Sequence, residues 1–163
     1  MSTYPAAARR GDSPNSSPRT APVELFIIHH YAGFTPPDQA WNRFMTANDR
    51  DVCPTWQVNA DGSVFECMDP DRRRPWTSGA VDNRAVTVET QNITGAPDWL
   101  CSDASHEAIA ALVAFAHARW GIPLDRAHVI GHREAPGAYA TACPGGSGRW
   151  NFSISRPENR SSM

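Results

Sequence analysis

The sequence predicts an α/β domain in which a central mixed β-sheet is flanked by helices. Three observations predict it. Apolar runs of strand length, such as "VELFIIHH" and "RAVTVETQN", alternate with longer stretches of helical period, the pattern of one sheet covered by helices. "TWQVNADGSVFEC" sets two β-rich runs around Asp61-Gly62, a strong hairpin dipeptide, so the sheet is mixed rather than wholly parallel. The bulk composition, 163 residues with 40% hydrophobic and 20% charged, supports a single core that needs neither metal nor disulfide merely to fold.

Each element has its own signal. Residues 1 to 21 are rich in Ser, Pro, Arg and Ala without periodicity and read as a disordered leader. Val23 to His29 is a buried strand. In "PPDQAWNRFMTAN" Asp38 is placed as an N-cap, with Ala40, Trp41, Phe44 and Met45 on one helical face. The Asp-Gly hairpin follows. In "RAVTVETQN" Val86 and Val88 fall on one face of a strand, with Thr87, Glu89 and Gln91 on the other. "SDASHEAIAALVAFAHARWG" is the clearest helix: Ser102 or Asp103 caps it, Ile109, Leu112, Val113, Ala116 and Trp120 form its stripe, and Gly121 and Pro123 end it. "AHVIGH" is a last short strand. The globular unit therefore spans residues 22 to 146, and residues 147 to 163 read as a flexible tail in which alternating Trp150, Phe152 and Ile154 offer a docking pattern.

Composition excludes several classes of function. A net charge of −2 argues against nucleic acid or an anionic membrane as the main partner. No segment approaches the roughly 18 apolar residues of a membrane span, so no membrane insertion is expected. The first residues lack the apolar stretch of a signal peptide, which points to production in the cytoplasm. All 15 basic residues are Arg, so no lysine serves any site in this chain. Four cysteines allow two disulfides by three connectivities, but a reducing compartment favours free thiols at Cys53, Cys67 and Cys101.

The apolar strand at Val23 runs into two adjacent histidines, His29 and His30. A histidine at a strand end sits at the rim of the sheet, where it meets residues from other strand ends. Farther on, His132 follows "AHVIG" and Cys143 lies in "TACPGG". Two imidazoles and one thiolate are the three protein donors of a catalytic zinc, which leaves its fourth position to water. Neighbours on a strand point to opposite faces, so His29 and His30 do not share one ion. His128 and His132, four strand residues or about 13 Å apart, do not share one either. The pattern thus offers one histidine from each pair, together with Cys143.

Taken together, "FIIHHYAG", "ADGSVFE", "WTSG", "AVTVETQN", "VIGHREAPG" and "TACPGG", in this order over residues 23 to 146, resemble the type 2 N-acetylmuramoyl-L-alanine amidases. That family includes phage lytic amidases, bacterial muropeptide amidases and animal peptidoglycan recognition proteins. The resemblance implies a mixed sheet flanked by helices with a zinc site at the strand ends. It also implies hydrolysis of the amide joining N-acetylmuramic acid to L-alanine. By the same resemblance the metal ligands are His29, the first of the "HH" pair, His132 of "GHR" and Cys143 before "PG". Thr141 falls where members carry Lys or Thr beside the substrate carbonyl. Two positions depart from the family: Pro54 stands where some members place a catalytic Tyr, and Thr77 stands where many have His in "WHAG". Other members use a Glu on the middle strand, and Glu89 matches it.

The resulting expectation is a zinc amidase, monomeric, with peptidoglycan or a muropeptide as its substrate and no nucleic acid as partner. Without an export signal, an endolysin module would accumulate in the host cytoplasm and act on the wall after membrane breach. A cytoplasmic muropeptide-recycling amidase fits the same motifs. Two further classes compete: a peptidoglycan-binding module that has lost its metal, and a thiol hydrolase built on Cys143. Glu89 is the expected general base and Thr141 the expected oxyanion donor.

Overall fold

The computed structural model describes residues 3–145. Eight strands and two α-helices follow one another as β1 (Arg9–Arg10), β2 (Ser17–Pro18), β3 (Leu25–His30), α1 (Pro37–Met45), β4 (Trp56–Val58), β5 (Val64–Glu66), β6 (Arg73–Arg74), β7 (Ala85–Thr90), α2 (Asp103–Trp120) and β8 (Val129–Gly131). Short 3-10 turns precede β7 and follow β8, at Gly79–Arg84 and His132–Glu134. The main sheet has six strands in the order β1-β5-β4-β7-β3-β8, and β2 pairs with β6 in a small second sheet. Its centre, β4-β7-β3-β8, is parallel, while the hairpin β4-β5 is antiparallel, so the sheet is mixed as expected.

Strand alternation divides the core in two. Phe26, Ile28, Trp56, Val58, Val86 and Val88 meet Ile109, Leu112, Val113 and Ala116, the stripe of α2. On the other face Leu25, Ile27, Ala85 and Ile130 pack with Val81 and Ala135. There α1 adds Ala40 and Phe44 against Cys53, Cys67 and Met68. Helix α2 begins where Ser102 accepts from the Ser105 amide at 3.0 Å, satisfying a donor the helix itself cannot, and it ends at Gly121 in the left-handed region (φ 71°). Helix α1 corrects the expectation for its start. Pro36 occupies the cap with Pro37 following, and Asp38 lies inside the first turn, ion-paired with Arg9 at 3.0 Å. A proline at the first helical position gives up only an N–H that has no partner within the helix, its fixed φ suits the helix start, and Pro36 before it has no side-chain acceptor to cap with.

The expected leader at residues 1 to 21 is the larger correction, because residues 3–21 are part of the fold. Tyr4 packs edge-on against Phe115 and Trp56 at 5.3 and 6.5 Å, and its amide donates to Glu66 Oε2 at 2.8 Å. β1 extends the sheet beyond β5, and the Arg9 guanidinium lies 4.7 Å from the Phe65 ring centre. Arg19 donates to the carbonyls of Pro70, Asp82, Asn83, Arg73 and Ala85 at 2.8 to 3.3 Å. This segment is held by hydrogen bonds to distant backbone and by two-residue pairings. Neither leaves a periodic apolar trace. The proposed tail, with Trp150, Phe152 and Ile154, lies outside the described residues. All four cysteines are free, and Cys53, Cys67 and Cys101 are buried. Among the described residues no helix is long and apolar enough to cross a membrane.

Candidate active site

Register assembles the site. In β3 and β7 His29 stands directly opposite Glu89. On its other side β3 pairs Ile27 with Ile130 and Ile28 with Gly131, so one further step sets His132 beside His29. Strands in a sheet lie about 4.8 Å apart, and the two imidazole centres are 4.4 Å apart. Val86 and Val88 point to α2, which turns Glu89 to the opposite face, the one that carries His29. Three adjacent parallel strands therefore present Glu89, His29 and His132 in a row at their C-terminal ends, the rim where open α/β sheets bind ligands.

Cys143 arrives from the loop after the last 3-10 turn. That loop is pinned by Arg133, whose amide donates to the Cys143 carbonyl and whose side chain donates to the Ala142 carbonyl, both at 3.1 Å. A side chain at Gly131 would collide with Pro144 Cδ, 2.8 Å from the position of its Cβ, so glycine lets the loop close onto the strand. Cys143 Sγ lies 3.7 Å from His29 Nδ1, and the donor atoms of His29, His132 and Cys143 all fall within 4.8 Å of one another. Bond lengths of about 2.0 Å to nitrogen and 2.3 Å to sulfur in a tetrahedron put N and S about 3.5 Å apart, so these residues fit a zinc ion. His30 turns away and stands edge-on to Trp99 at 5.7 Å. His128 pairs with Asp125 at 2.7 Å, and His117 Nδ1 meets the Ile122 carbonyl at 2.8 Å.

Burial keeps the two imidazoles in their metal-binding form. Burial holds His29 well below the usual imidazole range, helped by the neighbouring His132 and His30, and burial lowers His132 too. Both rings are neutral near pH 7, the form that ligates metal. Glu89 lies 3.9 Å from His29 Nδ1, but a neutral imidazole makes this a contact and not an ion pair. Burial, with the Glu89 charge behind it, pushes the Cys143 thiol up, which disfavours a free thiolate nucleophile. Burial also raises Glu89 to about 8, with Arg43 partly opposing.

The other acidic residues near the motifs are structural. Glu66 accepts from the Tyr4 amide and from Trp56 Nε1, both at 2.8 Å, while Glu134 accepts from the Gly131 amide and from Arg126 at 2.7 Å. Thr141 Oγ1 accepts from the Cys143 amide at 3.1 Å, which orders the ligand loop and leaves the hydroxyl proton available. A cavity of about 280 Å³ opens beside Glu89, walled by Tyr31, Phe44, Arg43 and Arg50. A larger depression of about 600 Å³, around Val23 and Trp120 at the other end of β3, reaches Glu134 but is lined by none of His29, Glu89, His132, Thr141 and Cys143. Sequence reading did not single out Arg43, Arg50, Tyr139 or Ser78. Tyr139 stands edge-on to His132 at 5.4 Å, and Ser78 touches His29; of the four, only Ser78 lies in a quoted motif, "WTSG".

Comparison with known proteins agrees with this arrangement. A family model described as N-acetylmuramoyl-L-alanine amidase matches residues 19–146. The fold is similar to that of AmpD, with a TM-score of 0.66 at 19% identity, covering 88% of this chain and 90% of that one. It is also similar to the endolysin amidase LysCS from Clostridium intestinale URNW, with a TM-score of 0.56 at 13% identity and coverage of 89% and 90%. Human PGRP-IBETAC, solved in complex with glycosamyl muramyl pentapeptide, gives a TM-score of 0.64 at 19% identity and coverage of 87% and 91%. A search of curated proteins finds no match. The family match begins at the half-buried Arg19 and runs past Cys143, taking in every strand of the site, and the chain belongs to the N-acetylmuramoyl-L-alanine amidase family.

Proposed function

We propose that this chain is a zinc-dependent amidase that cleaves the bond between N-acetylmuramic acid and L-alanine as the catalytic module of a phage endolysin. The observation that carries the reading is the convergence of His29, His132 and Cys143 donor atoms within 4.8 Å, beside the Glu89 carboxylate. His29 through Nδ1, His132 and Cys143 through Sγ would hold the ion. When bound, zinc supplies a Lewis acid and lowers the pKa of water toward 7. Glu89 takes the proton of the attacking water and passes it to the leaving amine; a carboxylate raised by burial suits both halves of that exchange near neutral pH. Thr141 donates its hydroxyl proton to the oxyanion that develops on the carbonyl. Arg43 and Arg50, on the wall of the cavity beside Glu89, suit the carboxylates of a stem peptide.

An intact donor set favours catalysis over a role in recognition alone. Digestion of purified peptidoglycan with and without chelator, followed by mass spectrometry of the new ends, tests the reaction. Free L-Ala amino termini without new reducing sugars, abolished by chelator, are the expected result. Binding without cleavage would identify a recognition module, and loss of activity on brief alkylation but not on chelation would identify a thiol hydrolase. Faster turnover of intact sacculi than of soluble muropeptides is expected of an endolysin that meets the wall only after the membrane is breached. The reverse preference would mark a recycling enzyme.

A further inference from the structure

We infer that Ser78 and Asp82 form a relay that fixes His29 as an Nδ1 metal donor, a positioning role that no family motif assigns to them. The inference rests on the metal-site reading above and concerns the side of His29 that faces away from Cys143. His29 Nε2 lies 2.9 Å from Ser78 Oγ. Ser78 is held in turn by Asp82, whose Oδ2 accepts from the amides of both Thr77 and Ser78 at 2.7 Å and whose Oδ1 accepts from Thr77 Oγ1 at 3.0 Å. The Asp82 residue is 1% exposed, so these donors are what keep its carboxylate in the fold. Arg19 secures the same turn from outside by donating to the Asp82, Asn83 and Ala85 carbonyls.

This arrangement resolves which ring nitrogen carries the proton. A neutral imidazole has one donor and one acceptor nitrogen, and the partner of one decides the role of the other. Besides His29, Ser78 Oγ has Thr77 Oγ1 at 3.4 Å, which itself donates to Asp82 Oδ1, and next to it the Asp82 carboxylate that takes the Ser78 amide at 2.7 Å. With its own proton directed to these acceptors, Ser78 Oγ accepts from His29 Nε2–H. The lone pair is then left on Nδ1, which faces Cys143 Sγ at 3.7 Å and Glu89 Oε1 at 3.9 Å. The opposite tautomer would aim a proton at the thiol and would place the Nε2 lone pair where no ion can be shared with Cys143. His29 is 2% exposed, so solvent offers Nε2 no alternative partner. Partners of this kind to a ligating histidine typically contribute 10- to 100-fold in metal affinity.

The test uses the full chain and two readouts. Nitrogen-15 NMR of the metal-free protein reports the tautomer of His29, and competition with a chromophoric chelator reports zinc affinity. The wild type is expected to show Nε2–H at His29. Ser78→Ala is expected to populate both tautomers and to bind zinc about 10- to 100-fold more weakly, with a metal-free melting temperature lowered by only a few degrees, the cost of leaving the buried His29 Nε2 without its partner. Ser78→Thr, which restores the hydroxyl, should recover both. A wild-type His29 protonated at Nδ1, or zinc binding by Ser78→Ala within twofold of wild type, would overturn the relay. If the wild type bound no zinc at all, the metal reading would fail while the tautomer measurement still decided the relay.

Discussion

Glu89→Gln isolates proton transfer from metal binding. Glutamine keeps the shape of the side chain and removes its basicity, and it leaves His29, His132 and Cys143 untouched. A positioned general base contributes about 10²- to 10⁴-fold in rate, and each tenfold is about 1.4 kcal/mol of barrier. The variant should therefore lose roughly 3 to 5 kcal/mol of transition-state stabilisation. Lysine is absent, and Glu66 and Glu134 are committed elsewhere, so no neighbouring base substitutes. The structure adds a second, non-catalytic signature. Burial raises Glu89 from 4.5 to about 8 in the metal-free chain. A folded-state value above the unfolded one means the folded chain binds the proton more tightly. The Glu89 contribution to metal-free stability is then fully present below pH 4.5 and is lost as pH rises through about 8, while the lowered imidazoles of His29 and His132 contribute in the opposite sense. Glu89→Gln should remove that loss from a melting series across the window. The assay pairs turnover on purified peptidoglycan with zinc content by mass spectrometry. Full metal with near-wild-type turnover would refute the assignment of Glu89 as base.

Three other perturbations bear on separate parts of the site and fold. His29→Ala, His132→Ala and Cys143→Ser should each lose stoichiometric zinc together with activity, whereas His30→Ala should keep its metal; the opposite result at His29 and His30 would overturn the donor set. Thr141→Val should keep zinc and lose about 10- to 100-fold in turnover, at or below the lower end of the roughly 10²- to 10³-fold range for one oxyanion donor. Unchanged turnover would assign its hydroxyl solely to the Cys143 amide it already accepts from. Arg19→Ala abandons five carbonyl acceptors at 2.8 to 3.3 Å and should cost roughly 3 kcal/mol or more in a urea titration; a loss within 0.5 kcal/mol, the scale of an ordinary surface change, would show that the N-terminal segment is not integral to the fold.

Local pattern alone carried much of this protein. The Asp61-Gly62 hairpin, the capped stripe of α2 and the alternation that sends Glu89 away from Val86 and Val88 depend on neighbours within a few residues, where period and turn chemistry act. The order of short motifs around His29, His132 and Cys143 likewise pointed to the family before any packing was known. Tertiary structure decided what depends on register between distant segments. His29 and His30 are equivalent as letters, and only the pairing of β3 with β7 and β8 sets the first beside Glu89 and His132. Arg43 and Arg50 join Glu89 through the placement of α1 and the loop after it, and Ser78 reaches His29 across 49 residues of chain. The segment from Tyr4 to Arg19 reads as disordered because its hold on the fold, mostly polar apart from the buried ring of Tyr4, is non-local. Its anchors are the Glu66 carboxylate and the carbonyls of residues 70 to 85, which take their positions only when the sheet has formed.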